Sequence, residues 1–224
     1  MNKKGFIFDL DGVIVDTAKY HFLAWKKLAN SIGVDFTEHQ NEQLKGVSRV
    51  RSLEKILAWG GIELTEDKFM ELMAKKNHDY LSYINVMDDS EILPDVPKVL
   101  QYLQKNHQLI ALGSASKNAR TILQKVKLYS TFDVIVDGTN VTKAKPDPEV
   151  FLNAAQLLEL NPCDCVVFED SVAGVQAANK AGMISIGIGS KEVLHEADYI
   201  FDDFTEIDID FLDQLIEKEE KVNT

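Results

Sequence analysis

From residue 92 onward, short apolar segments alternate with segments of helical periodicity. The stretches 109–114, 134–136, 165–169, 184–188 and 199–201 are β-prone and too short for helices. Between them, about 95–106, 117–127, 147–159, 172–181 and 207–220 repeat their apolar residues at helical spacing. Residues 6–10, Phe-Ile-Phe-Asp-Leu, read as one more buried strand near the start. Strands that are apolar throughout are buried on both faces. Their alternation with helices therefore predicts a parallel sheet covered on both sides.

One stretch breaks the alternation. Between about 17 and 88 there are helical runs near 18–32, 38–44, 49–59 and 65–85, separated by Gly33, Gly46 and Gly60-Gly61, and no convincing strand. The fold class expected is therefore α/β: a Rossmann-like parallel sheet with helices on both faces and an inserted four-helix unit. The core is assigned to 1–16 and 89–224 and the helical cap to 17–88, with linkers near 15–17 and 88–93. The acidic run 217–221 reads as a solvated helix end.

An open parallel sheet binds its ligands beyond the carboxyl ends of its strands, so chemistry is sought there. Those ends carry Asp9 and Asp11, Ser114, and Glu169-Asp170, with Lys145 on a loop after the 134–136 strand. Two carboxylates one residue apart, followed by Gly12 for a sharp turn, suit attack on phosphorus by one and proton transfer by the other. A polar turn after a strand gives the same local pattern. Their mutual repulsion calls for a cation. Glu169-Asp170 offers hard oxygen ligands that suit magnesium, although an acidic loop has the same composition.

Small residues around Ser114 leave room for a phosphate. Ser116 is expected either to cap the next helix or to contact the anion, with Lys117 and Asn118 in its first turn. A lysine at a helix N-terminus favours a nearby anion. Pro146 is expected to open the following helix, and a lysine fixed before it, Lys145, can neutralise a transferring phosphoryl group; a simply exposed lysine is the alternative.

Composition removes other classes. With 24 basic and 36 acidic residues, the net charge of −12 disfavours a nucleic-acid partner. Hydrophobic residues at 45% supply a core. No apolar run has membrane-spanning length, and no signal peptide is visible. Cys163 and Cys165 lack the further soft ligands of a metal site and are read as small apolar residues. A reducing cytoplasm is the expected compartment. No apolar stripe compels a dimer, so a monomer is expected.

The ordered set Asp9-x-Asp11-Gly12-Val13, Ser114, Lys145-Pro146 and Glu169-Asp170 resembles the haloacid dehalogenase-type phosphotransferase superfamily over essentially the whole chain. The resemblance implies that Asp9 is the nucleophile forming an aspartyl phosphate and that Asp11 is the general acid and base. It also implies that Ser114 and Lys145 orient the phosphoryl group. Magnesium would be held by Asp9, Asp170, the main-chain oxygen of Asp11 and Glu169. An aspartate at position 11 favours phosphoryl transfer over carbon–halogen cleavage.

Two segments of the helical insert go further. These are Asp16-Thr17-Ala18-x-Tyr20-His21-x-x-Ala24-Trp25 and Leu44-Lys45-Gly46-Val47-Ser48-Arg49-x-x-Ser52. With Lys76-Asn77 and Ser114-Ala115-Ser116-Lys117-Asn118, they resemble the β-phosphoglucomutase family. That resemblance implies a sugar-phosphate substrate and interconversion of β-glucose 1-phosphate and glucose 6-phosphate. It implies β-glucose 1,6-bisphosphate as intermediate and activator. A mutase must grip two phosphates of one sugar, and Arg49 offers a bidentate clamp that Lys117 and Asn118 complete from the core side.

His21 and Trp25 share a helical face, and each either packs within the insert or meets the sugar; by resemblance His21 lies near Asp11. Arg49 also fits an ordinary surface arginine, and Lys76 a solvated lysine on a basic helix face. The competing function is a magnesium-dependent sugar-phosphate phosphatase, in which water replaces the sugar as acceptor; a non-catalytic binding module is the third.

Overall fold

The computed structural model describes residues 3–44 and 47–217. Six parallel strands form one sheet: β1 Gly5–Phe8, β2 Leu109–Gly113, β3 Val134–Val136, β4 Cys165–Glu169, β5 Ile184–Ile188 and β6 Tyr199–Phe201. Their order across the sheet is β3-β2-β1-β4-β5-β6. The order reverses at β1, whose neighbours are β2 and β4. A crevice opens there beyond the strand ends.

The alternation of side chains along β1 splits the core in two. Phe6 and Phe8 face one layer with Ile110, Leu112 and Phe168, and the Phe8 and Phe168 rings stack with centroids 4.6 Å apart. Ile7 faces the other layer with Ala111, Val136 and Val167. Helices α5 (Val96–Lys105), α6 (Ala119–Lys125) and α9 (Ile209–Glu217) cover the first face. Helices α7 (Glu149–Leu157) and α8 (Val172–Lys180) cover the second. Burial of each such phenylalanine ring contributes about 2–3 kcal/mol.

Between β1 and β2 lie α1 (Ala18–Ser31), α2 (Glu38–Glu42), α3 (Arg49–Gly60) and α4 (Glu66–Ile84). They enclose a third apolar cluster of Trp25, Leu28, Phe36, Leu53, Ile56 and Leu72. Local sequence sets their ends. Thr37 and Gln40 form a capping box at α2, Ser48 and Thr65 cap α3 and α4, and Gly61 closes α3 at φ 61°. The two connectors between these helices and the sheet run side by side. Asp16 N donates to Glu91 O at 3.0 Å, and Leu93 N to Ile14 O at 3.0 Å. No helix among the described residues is long and apolar enough to cross a membrane.

Four local expectations need correction. The first strand ends at Phe8, so Leu10 belongs to the turn that follows. The helix after Ser114 begins at Ala119 with Asn118 as its N-cap, so Ser116 does not cap it and Lys117 precedes it. Ser114 and Ser116 instead hold a succession of tight turns, accepting from Ser116 N at 3.1 Å and Asn118 N at 3.3 Å. Pro146 does not open α7, which starts at Glu149 behind Pro148. Gly46 and most of the run 217–221 lie outside the described residues.

Candidate active site

Asp9 follows β1 and continues its ladder, with its amide donating to Phe168 O at 3.0 Å. This fixes its carboxylate at the sheet's reversal point, where it is 7% exposed. Lys145 approaches from the β3–α7 loop. Its Nζ lies 2.6 Å from Asp9 Oδ1, 3.0 Å from Glu169 Oε2 and 3.2 Å from Gly113 O. Burial alone lowers the pKa of this lysine, but the Asp9 and Glu169 carboxylates outweigh it and hold the ammonium above its usual value. Lys145 is therefore a fixed cation and not an exposed lysine.

One ammonium cannot balance the carboxylates around it. Oxygens of Asp9, Glu169 and Asp170 all lie within 4.8 Å of one another. Burial, and then the charge of Asp9, raise the Glu169 pKa to about 7 despite Lys145 and Ser171. Hard oxygen donors with uncompensated negative charge suit magnesium, which takes few protein ligands and completes its shell with water and phosphate. The residues present thus fit the ion.

Asp11 is half-buried at the mouth of this floor and accepts a hydrogen bond from Thr17 Oγ1. Burial, and then repulsion from Asp9, raise its pKa to about 7, while Lys76 and Lys145 pull it back. A carboxyl poised near neutrality can give and take a proton in one turnover.

The floor opens into a cavity of about 620 Å³ between the strand ends and the four inserted helices. Its walls carry His21, Trp25, Val47, Ser48, Arg49, Ser52 and Lys76 from the insert, and Ser114, Ala115, Ser116, Lys117 and Asn118 from the sheet side. Of the candidate residues that the structure describes, Glu169 alone does not line it, being buried beneath the floor. Ser48 and Ser52 also serve α3, with Ser48 capping it and Ser52 Oγ donating to Ser48 O at 3.0 Å. Asn118 Nδ2 donates to Asn77 Oδ1 at 3.5 Å, linking the two sides.

The cations on these walls differ in kind. Arg49 and Lys117 have no carboxylate within ion-pair distance among the described residues, so both are available to an anion. Burial lowers the Arg49 pKa only from its very high usual value, so it stays charged. Lys76, a candidate sugar-site residue for which a solvated lysine was the alternative, is 2% exposed. Its Nζ lies over the Trp25 and Tyr80 rings, at 4.7 and 4.5 Å from their centroids, and 3.0 Å from His21 Nδ1. Burial, followed by Arg49, lowers the Lys76 pKa to about 7, with Asp11 opposing. Burial, Lys76 and Arg49 hold His21 well below 6.5, so its imidazole is neutral and accepts from the lysine.

Comparison with known proteins gives this arrangement a family. The family model described as haloacid dehalogenase-like hydrolase matches residues 3–182. The chain belongs to the haloacid dehalogenase-like hydrolases. Within that family it is 42% identical over 211 residues to a β-phosphoglucomutase of Bacillus subtilis, covering 93% of each chain. A crystal structure of β-phosphoglucomutase from Clostridium difficile superposes with a TM-score of 0.91 at 38% identity, over 96% of this chain and 97% of that one. A phosphorylated carbohydrates phosphatase of Thermotoga maritima is 32% identical over 182 residues, 79% of this chain and 81% of its own.

Of the residues that seat the motifs of this haloacid dehalogenase-like chain, Gly12 stands inside one of them, and Gly174 and Ser171 stand outside. A Cβ on Gly12, which sits at φ +83°, would fall 2.2 Å from Asp170 Oδ2, so glycine is required both by the turn and by the metal-site neighbour. A Cβ on Gly174 would fall 2.0 Å from Glu169 Cδ. Ser171 joins the two roles, capping α8 through Gly174 N at 3.1 Å and donating its hydroxyl to Glu169 Oε1. Thr17, behind Asp11, was likewise not singled out. Each is a small residue whose task lies in a contact across the fold. Gly12 was legible as the turn glycine after Asp11, and Ser171 carried one local signal, an N-cap position directly after the acidic pair.

Proposed function

We propose that the protein is a β-phosphoglucomutase, interconverting β-glucose 1-phosphate and glucose 6-phosphate through an aspartyl phosphate on Asp9. The observation that carries this reading is one cavity with a nucleophile at its floor and, on its walls, Arg49 and Lys117, neither with a carboxylate at ion-pair distance among the described residues. A phosphatase needs one phosphate site; a mutase must hold the second phosphate of a sugar bisphosphate while the first is transferred. Close kinship to mutases of the same length supports it.

In one half-reaction an Asp9 oxygen bonds to phosphorus as the phosphorus–sugar oxygen bond breaks, and Asp11 delivers its proton to the departing oxygen. In the return, the other sugar hydroxyl attacks phosphorus, its proton passes to Asp11, and the electron pair of the breaking bond stays on Asp9. Turning β-glucose 1,6-bisphosphate over between these two halves exchanges the positions, which makes it both intermediate and activator. Lys145 and Ser114 hold the phosphoryl oxygens, and Arg49 with Lys117 and Asn118 grips the distal phosphate. Asp9, Asp170 and the Asp11 carbonyl would hold magnesium, with Glu169 beneath, and the bound ion supplies charge neutralisation at the phosphoryl group. Residues 17–88 act as a cap whose closure over the sugar excludes water from the aspartyl phosphate.

Replacing Arg49 with alanine tests the clamp. Sugar-to-sugar transfer is expected to fall by about 100-fold or more. Phosphorylation of Asp9 by acetyl phosphate, which has no second phosphate, stays near wild type. Equal loss in both reactions contradicts the assignment. The second reading, a sugar-phosphate phosphatase, draws on the 32% identity to the Thermotoga maritima phosphatase and requires only that water reach Asp9.

A further inference from the structure

Lys117 precedes α6 and has no carboxylate within ion-pair distance among the described residues, so neither a helical turn nor an ion pair holds its side chain. Its support comes from the turn that follows β3. Gly138 N donates to Ser116 O at 3.2 Å. A Cβ on Gly138 would fall 2.3 Å from Ala115 O and 3.0 Å from Lys117 Cγ, so the stem of the lysine rests on bare backbone. Ser114 is held one step earlier, where its amide donates to Val136 O at 3.0 Å. The turn at 137–140 therefore seats Lys117, whereas the strand end seats Ser114.

One buried carboxylate shapes that turn. Asp137 is 1% exposed and does not line the cavity. Its Oδ1 accepts from Thr139 N at 2.8 Å and from the Thr139 hydroxyl, and its amide donates to Asn140 Oδ1 at 3.1 Å. Its Oδ2 accepts from Arg120 Nε at 2.8 Å, and the same guanidinium donates to Ile135 O at 2.8 Å. Arg120 lies in the first turn of α6. The carboxylate thus ties the helix that follows Lys117 to the turn on which Lys117 rests. Desolvating a carboxylate is costly, and the bonds that offset the cost here all go to those two segments. We propose that Asp137 is a positioning residue for the second phosphate: through the 137–140 turn and Arg120 it fixes where the Lys117 ammonium stands, which rests on the reading of Lys117 as part of the distal clamp.

The test compares wild type, Asp137→Asn, Lys117→Ala and the double variant. It reads kcat and KM for β-glucose 1-phosphate at saturating β-glucose 1,6-bisphosphate, and phosphorylation of Asp9 by acetyl phosphate. An asparagine turns its NH2 group toward either Arg120 or Thr139, so one donor loses its acceptor. In Asp137→Asn, KM is expected to rise about tenfold or more with kcat within about threefold. Acetyl phosphate, which has no second phosphate, reacts as with wild type. In the Lys117→Ala background the same substitution adds nothing, because the residue it acts through is gone. An unchanged KM, equal slowing of both reactions, or an effect retained in full without Lys117 each overturns the proposal. Arg120→Gln, on the exposed side of the pair, is expected to show the same split and decides the question if Asp137→Asn does not fold. If Lys117→Ala leaves KM unchanged, the clamp reading fails and Asp137 with it. If Lys117→Ala raises KM and Asp137→Asn does not, the Asp137 proposal alone fails.

Discussion

Lys76→Met is the substitution whose consequences the structure constrains most tightly. The lysine has no carboxylate within ion-pair distance among the described residues and is 2% exposed. A pKa moved from 10.5 to about 7 corresponds to about 5 kcal/mol of disfavoured charge. The two ring contacts with Trp25 and Tyr80 return about 1–2 kcal/mol each in a desolvated setting. The net penalty of the buried ammonium is therefore about 1–3 kcal/mol.

Methionine keeps the chain length and packs on the same rings, so the variant is expected to be more stable at pH 7 by that amount. This raises Tm by about 2–4 °C per kcal/mol in a chain of this size. The pH dependence has a definite sign. Between about 7 and 10.5 the unfolded lysine is protonated and the folded one is not, so its contribution improves as pH rises and is lost as pH falls through about 7. Urea denaturation at several pH values from 6.5 to about 10 reads both effects, because the stability advantage of the variant shrinks as pH rises. A variant less stable at pH 7, or an advantage independent of pH, refutes the reasoning.

Other substitutions test the floor of the site. Lys145→Met strands Asp9 and Glu169, and is expected to cost about 3–5 kcal/mol of stability without metal and about 100- to 1000-fold in turnover, read by denaturation and steady-state kinetics. Gly174→Ala drives a methyl into Glu169 and is expected to weaken the apparent magnesium affinity about 10- to 100-fold in an activity titration; an unchanged titration contradicts the packing argument. Excess chelator abolishes turnover and magnesium restores it. Because Glu169 is held near 7 in the metal-free protein and must lose its proton for the ion, magnesium affinity measured by calorimetry rises with pH up to about 7 and levels off above.

The sheet was legible because strands buried on both faces are apolar throughout; 134–136, 165–169, 184–188 and 199–201 needed no revision. The helix boundaries that slipped follow Ser114 and Lys145, where the chain makes tight turns around the cavity before helix begins at Ala119 and Glu149. Strand-end carboxylates gave away the floor because parallel topology leaves them one destination. The burial of Lys76, itself a candidate site residue, was opaque for the opposite reason. Its neighbours in sequence are lysine, asparagine and histidine, and only packing against α1 puts its ammonium over Trp25 and beside His21. Thr17 and Gly174 act through contacts that no local pattern encodes, whereas Ser171 left one local trace in its N-cap position. Cys163 and Cys165 are both free thiols, and burial pushes the Cys165 thiol up to about 12, in keeping with a small packed residue.

The central claim is that the aspartyl phosphate on Asp9 passes to a sugar and not to water. A phosphorus NMR time course with β-glucose 1-phosphate, magnesium and a trace of β-glucose 1,6-bisphosphate measures this directly. Growth of glucose 6-phosphate with little free phosphate is the result predicted here. Growth of free phosphate in step with substrate loss would contradict the mutase and identify a phosphatase.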